Sequence, residues 1–224
     1  MTSAPKVASD ERDPNLCPFF DKTGTCSKGD LCNKSHKDVP ISRAIVLHHI
    51  FPDPDAFISM LPSGVLTMEP ETKKRLVDAF FIDVACMLIQ FGQLDDMILC
   101  SNRTDHLVGN VIALFHDSNA SLAAKTFLDG QYYAGRKIQV SFVPIPRLSL
   151  TICHNVDNEQ CQLGNMCNFV HPLEPSSLIF NQIFPKAAKA VATPLRNPKK
   201  KRFIDNPNDA LYNKTMQKIV IKPI

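Results

Sequence analysis

The chain has 224 residues, enough for one ordinary domain plus small modules. Its 25 Lys and Arg stand against 22 Asp and Glu, a net charge of +3, yet residues 186–224 alone carry ten Lys or Arg and two Asp. The tail's +8 leaves −5 for everything before it, which excludes a generally basic body; long-range attraction to nucleic acid has to come from local patches or from the tail.

Residues 1–16 are polar and are expected to be disordered. Met1–Asp10 carries no apolar signal core, and no run of eighteen apolar residues suggests a membrane span. The expectation is a protein of the nucleus or cytosol with no membrane partner. Cys17, Cys26, Cys32 and His36 then follow one another as C-x8-C-x5-C-x3-H. The pattern returns late in the chain as C-x7-C-x5-C-x3-H, at Cys153, Cys161, Cys167 and His171. The two sets take six of the eight cysteines and two of the seven histidines. Three thiolates and an imidazole are the set that Zn2+ takes in a closed tetrahedral site. Each cluster spans only about twenty residues, too few to bury a core without a metal or disulfides. A disulfide framework is the competing reading, but it gives no role to a histidine at fixed offset from the last cysteine. Two structural zinc fingers are predicted, over 17–37 and 153–172. Cys86 and Cys100 lie in apolar surroundings and read as buried, reduced thiols.

Between the clusters the texture becomes globular, over 43–145. Ala44–Ile50 is an apolar run that reads as a buried strand. A Pro-rich loop follows, with Ala56–Leu61 as a candidate turn of helix. From Glu71 to Phe91 the apolar residues Leu76, Phe80, Val84, Met87, Leu88 and Phe91 make one helical face, with Gly92 as the stop. Leu94–Cys100 reads as a second strand and Leu107–Phe115 as a third, after a turn at Asn102–Asp105. Ser118–Leu128 is a second helix, with Asp117 or Ser118 as N-cap and Gly130 beyond its C-terminus; Lys137–Val143 is a last strand. The order βαββαβ predicts an α+β, ferredoxin-like domain with both helices on one face of an antiparallel sheet, the other face left free for a ligand. Leu178–Phe184 reads as a short helix. It lies within a basic tail over 173–224 that holds Pro198-Lys-Lys-Lys-Arg202, a composition of nuclear localisation signals and nucleic-acid-binding tails.

RNA recognition motifs use this fold and stack bases on aromatics of the two central strands. Here Asn110 and Ile112 occupy the two stacking positions of the third strand, and Val46 the aromatic position of the first. The central sheet thus lacks a stacking platform, and a structural or protein-binding domain is expected instead.

Three segments carry a resemblance. They are Cys17-Pro-Phe-Phe-Asp-Lys-Thr-Gly-Thr-Cys26, then Asp105-His-Leu-Val-Gly-Asn-Val111, a string that nothing about the fold is expected to demand, and Cys167-Asn-Phe-Val-His171. With the finger–RNA-recognition-motif-like–finger order, the chain resembles the family of small subunits of the U2 small nuclear ribonucleoprotein auxiliary factor, over roughly residues 15–172. The resemblance implies a non-enzymatic, nuclear splicing protein, one half of a heterodimer, whose two fingers together recognise the AG of pre-mRNA 3′ splice sites. It also implies that the central domain is a U2-auxiliary-factor homology motif, which binds a Trp-containing peptide of the large subunit against its first helix and an aromatic loop. The matching loop here is Gln131-Tyr132-Tyr133, with the family's Arg replaced by Gln131.

In finger one, Phe19 and Phe20 are the stacking candidates, and Lys28, Asn33 and Lys34 the polar contacts to RNA. In finger two, Phe169 is the stacking candidate and Asn168 the polar reader. For each aromatic, packing beside the metal site is the plainer alternative. Between Cys153 and His171 there is no Lys or Arg, and Asp157 and Glu159 make the segment locally acidic, so finger one is expected to provide most of the electrostatics. Two other functions fit the same residues: a regulator of mRNA stability of the Cys3His type, and an interaction scaffold whose fingers are structural only. The first places its fingers in close tandem, whereas 116 residues separate His36 from Cys153.

Overall fold

The protein is described from a computed structural model covering residues 13–54, 68–156 and 160–185. Most of the segment expected to be disordered, the piece Ala56–Leu61 and the tail beyond residue 185, with Pro198–Arg202, lie outside the described residues. In chain order the elements are α1 (Pro18–Thr23), β1 (Ala44–Leu47), α2 (Pro70–Ile89), β2 (Leu94–Cys100), β3 (Val111–Phe115), α3 (Ser118–Leu128), β4 (Tyr132–Tyr133), β5 (Arg136–Lys137), β6 (Val140–Val143), β7 (Pro172–Leu173) and α4 (Ser177–Ile183). Short 3-10 turns stand at Gly29–Leu31, Leu148–Leu150 and Gly164–Met166.

The main sheet is antiparallel, in the order β6-β1-β3-β2-β7. Its register sets Val46 opposite Ile112 on one side and Ser141 on the other. Helices α2 and α3 pack on one face of this sheet, as the βαββαβ order predicts. Side chains alternate along a strand, so Ile45, Leu47, Met97, Leu99, Val111, Ala113 and Phe115 form the face under the helices, all of them buried.

The opposite face is not free, contrary to expectation. Ala44, Val46, Ile98, Cys100, Ile112, Leu114 and Val143 project there and are buried against Ile145 and Leu148 of the segment leaving β6 and against Val170 of the second cluster. Finger one closes the same face from the other side. Gly24 lies so close to it that a Cβ would stand 2.8 Å from Val143 Cγ2 and 3.0 Å from Val46 Cγ1. Val46 and Ile112, where stacking aromatics would be, are thus core residues. The absence of a platform and the covering of the sheet are one fact.

Other differences are local. The third strand starts only at Val111, because Leu107–Gly109 forms a turn that buries Asn110. That turn explains two residues of the His-Leu-Val-Gly-Asn-Val string, Gly109 and Asn110, which the fold does demand. Gly109 has φ +67, and a Cβ there would lie 2.5 Å from the Phe51 carbonyl oxygen. The Asn110 side chain accepts from the His49 N–H (2.9 Å) and donates to the His106 carbonyl (2.9 Å), fixing two loops at once. The last predicted strand divides: Arg136–Lys137 folds back on Tyr132–Tyr133 as a hairpin, and β6 begins at Val140. On α2 the face toward the core is Val77, Phe80, Phe81, Val84, Ala85 and Leu88, while Leu76, Met87 and Phe91 are only half-buried. Gly130 does follow α3 with φ +86, as expected of a residue past a helix end. Helix α4 folds back onto α2, where Phe180 and Phe184 meet Phe81 (6.4 and 6.3 Å between ring centroids).

Candidate metal centres and nucleic-acid interface

Each Cys3His set is closed by the same backbone device. In the first, a parallel bridge joins Leu16 to Ser35, with the Cys17 N–H donating to Ser35 O (2.9 Å) and the Ser35 N–H to Asn15 O (2.8 Å). In the second, Ile152 bridges to Val170, with the Cys153 N–H donating to Val170 O (3.0 Å). The bridge brings the histidine back beside the first cysteine. A 3-10 turn before the third cysteine, Gly29–Leu31 or Gly164–Met166, completes each loop. In finger one, α1 starts directly after Cys17 with Pro18 in its first turn.

The sequence-predicted ligands converge. In both sets, Cys17–Cys26–Cys32–His36 and Cys153–Cys161–Cys167–His171, the donor atoms all lie within 4.8 Å of one another. The Nε2 atoms of His36 and His171 are buried and have no hydrogen-bond partner, an arrangement that a bound cation would relieve. Backbone N–H groups point at sulfur as well, from Lys28 to Cys26 Sγ (3.5 Å) and from Phe169 to Cys167 Sγ (3.4 Å). Burial pushes the Cys167 thiol up to about 11, so a cation is what would make a thiolate stable there. The donors fit a metal site in both clusters.

The aromatic candidates separate in role. Phe20 lies flat on the His36 ring (4.4 Å between centroids, 5° between planes) and packs inside its own finger. Phe19 points outward to the other finger and meets Phe169 at 5.2 Å. The side chain of Lys22 reaches the same ring, with Nζ 5.3 Å from the Phe169 centroid. Phe19, Phe169 and Lys22 are thus brought together from segments about 150 residues apart in the chain. Lys28, Asn33 and Lys34 are exposed on finger one, Lys34 donating to the Pro14 carbonyl (3.4 Å), and Asn168 is half-buried on finger two.

Two participants are not among the sequence-predicted residues. Nothing in its own finger marks Lys22, whose partner comes from the other end of the domain. Asn102, expected only as part of a turn, is buried and clamps finger two. Its Nδ2 donates to the carbonyls of Cys167 (3.0 Å) and Phe169 (2.9 Å), and its Oδ1 accepts from the His171 N–H (2.8 Å). Ser101 and Arg103 on either side donate their backbone N–H groups to His171 O (2.7 Å) and Asn165 O (2.8 Å). The chain leaving His171 then pairs with β2 as β7.

Gln131 and Tyr132 are exposed, Tyr132 with 72% of its surface open. Tyr133 turns inward across the hairpin, stacking edge-on against Phe80 (5.7 Å) and donating its hydroxyl to Asp83 on α2 (2.6 Å). Burial, and then this carboxylate, raise its pKa.

Comparison with known proteins agrees with this architecture. Residues 13–37 match the family described as zinc finger C-x8-C-x5-C-x3-H type (and similar). The chain is 31% identical to a splicing factor U2af small subunit of Oryza sativa subsp. japonica, over 72% of this chain and 53% of that protein. It is 27% identical to "Splicing factor U2AF 23 kDa subunit" of Schizosaccharomyces pombe, over 77% of this chain and 78% of that protein. Over most of its length the chain is similar to U2AF small subunits. It is also 31% identical to the human "U2 small nuclear ribonucleoprotein auxiliary factor 35 kDa subunit-related protein 1", over 72% of this chain and 34% of that one. The chain spans about half the length of the rice U2AF protein. The Oryza sativa and Schizosaccharomyces pombe relatives are named as splicing factors, not as enzymes. Among the described residues no helix is long and apolar enough to cross a membrane.

Proposed function

We propose that the protein is a non-enzymatic RNA-binding subunit that acts in the nucleus and recognises the AG at 3′ splice sites in single-stranded pre-mRNA, with Zn2+ in both Cys3His clusters. The observation that carries this reading is the meeting of Phe19 and Phe169, one ring from each finger, at 5.2 Å. Two rings from separate modules that face each other at the surface offer consecutive bases a stacking surface, and base–aromatic stacking is worth about 1–3 kcal/mol per base. Lys28, Asn33 and Lys34 line finger one with donors, and Asn168 serves finger two at a base edge. Zn2+ would supply the fixed shape that such short loops cannot reach by burial alone. The eight ligands would hold it, Phe20 would brace His36, and Asn102 would brace His171 from behind.

The central domain, in this reading, docks a larger subunit through a short Trp-containing peptide laid against α2 and the Gln131–Tyr133 segment. The exposure of Tyr132 and the anchoring of Tyr133 to α2 support it. The covered sheet face supports it too, since it leaves RNA to the fingers.

The test is RNA binding by the zinc-loaded full chain, alone and with a large-subunit partner captured from nuclear extract. A single-stranded RNA ending UUAG is expected to bind more tightly than one of AU repeats. A preference for AU repeats would overturn the splice-site reading and favour a regulator of mRNA stability. Phe19→Ala and Phe169→Ala are each expected to weaken UUAG binding about tenfold or more.

A further inference from the structure

Finger two has a ring for a base but no charge for a phosphate. Aligned on the third cysteine and the histidine, the fingers read Lys28-Gly-Asp-Leu-Cys-Asn-Lys34-Ser-His36 and Leu163-Gly-Asn-Met-Cys-Asn-Phe169-Val-His171. The glycines match in conformation, with φ +47 at Gly29 and +50 at Gly164, so the two stretches are the same local structure. The places of the two finger-one lysines are therefore taken in finger two by Leu163 and Phe169. No Lys or Arg lies anywhere between Cys153 and His171.

Two basic residues from other parts of the fold adjoin this finger, Lys22 through its side chain and Arg103 through its backbone. Lys22, in the last turn of α1, holds its ammonium 5.3 Å from the centre of the Phe169 ring. Arg103, in the turn after β2, is tied to finger two by its own backbone N–H at the Asn165 carbonyl (2.8 Å), and its neighbour Asn102 is bonded to the Phe169 carbonyl. The Arg103 side chain is exposed. The geometry points to a borrowed phosphate site: Lys22 of finger one and Arg103 of the central domain bind the backbone phosphates of the nucleotide that stacks on Phe169. This inference rests on the RNA reading proposed above.

Chemistry suits the two groups to different parts of the task. A guanidinium can take a phosphate through two parallel N–H donors, whereas an ammonium is a compact charge that gives way when a base takes its place over the ring. Both are carried on backbone already fixed beside finger two, so little ordering is left for the moment of binding. A plainer role exists for Lys22, since a cation in the last turn of a helix offsets the helix dipole. That role affects stability and leaves the salt dependence of RNA binding alone.

The test measures affinity of the zinc-loaded full chain for single-stranded RNA ending UUAG across a range of salt concentrations. For single strands, each lost phosphate contact lowers the slope of log K against log salt by about 0.7. Lys22→Gln and Arg103→Gln are each expected to lower it by about that much and to weaken low-salt binding several-fold. Lys22→Arg and Arg103→Lys should restore the slope, and Lys74→Gln, on α2 at the far side of the sheet, should leave it unchanged. Wild-type slopes in both glutamine variants would overturn the inference while the RNA reading stood. A lower thermal midpoint in Lys22→Gln with an unchanged slope would assign Lys22 to the helix end and likewise overturn it. Absence of wild-type RNA binding, with and without the large-subunit partner, would remove the RNA reading and this inference together.

Discussion

Single buried polar side chains hold this molecule's modules together, and Asn102 is the clearest. Its amide fills three hydrogen bonds to finger two, at 2.8 to 3.0 Å, with no exposed surface. Asn102→Ala leaves two carbonyls and an N–H unpaired in a dry site, and is expected to destabilise the metal-loaded protein by about 2–4 kcal/mol in urea unfolding. Asn102→Asp should do no better, because a carboxylate cannot donate to the Cys167 and Phe169 carbonyls. His48 shows the opposite economy. Burial, and next the neighbouring His49, hold it down to about 4, while its Nε2 lies 2.9 Å from Ser141 Oγ. In the unfolded chain it titrates near 6.5, so between those values the unfolded state binds the extra proton. Its contribution is therefore complete above about pH 6.5 and is lost as the pH falls toward 4. Comparing pH 7 with pH 5, the wild type should lose about 2 kcal/mol more stability than His48→Gln, a difference that metal loss, common to both proteins, does not produce.

At the scale of elements, the chain shows which signals travel with sequence and which do not. Both Cys3His sets, α2, α3 and β2 are legible because each rests on spacing or periodicity within one segment. The covered sheet face runs against expectation although a sign of it is present. Ala44–Leu47 and Val111–Phe115 are apolar at every position and do not alternate, the mark of strands buried on both faces. The β4–β5 hairpin is hidden because it is two residues per strand, turned by Ala134 and Gly135, both at positive φ. The meeting of Phe19, Lys22 and Phe169 has no local signature at all, since it depends on how two fingers seat on one sheet. Helix α4 supplies a test at this scale. The buried Asp78 of α2 accepts the Ser176 N–H at 2.6 Å, and its burial raises its pKa above the usual carboxyl value. A carboxyl with a raised folded value carries its penalty at neutral pH and is relieved as acid protonates it. Asp78→Asn should keep the hydrogen bond and be at least as stable as the wild type at pH 7. Asp78→Leu should lose about 1–3 kcal/mol and speed hydrogen exchange over Ser177–Ile183.

Taken as a whole molecule, the segment after β6 wraps the domain. It crosses the sheet face at Ile145 and Leu148, forms finger two, joins the sheet again as β7 and ends as α4 on the helix side. Chelation should therefore do more than unravel two small loops. Removing metal with EDTA is expected to accelerate hydrogen exchange at β7 and to bare apolar side chains of β1 and β3, read as increased binding of a hydrophobic dye, while α2 and α3 remain helical. Finger two ends where β7 begins: His171 is a candidate metal donor and Pro172 already faces Cys100 across the sheet. The backbone of Leu99 and Cys100 is thus capped by a strand whose placement hangs on the preceding histidine. If the metal leaves, the backbone of Leu99 and Cys100 joins the rest of β2 as an open sheet margin, apolar over Met97, Ile98 and Leu99 and charged only at its start, at Asp95 and Asp96. Metal starvation would then lengthen the open apolar edge of β2, and self-association through that edge is expected to rise as the metal supply falls.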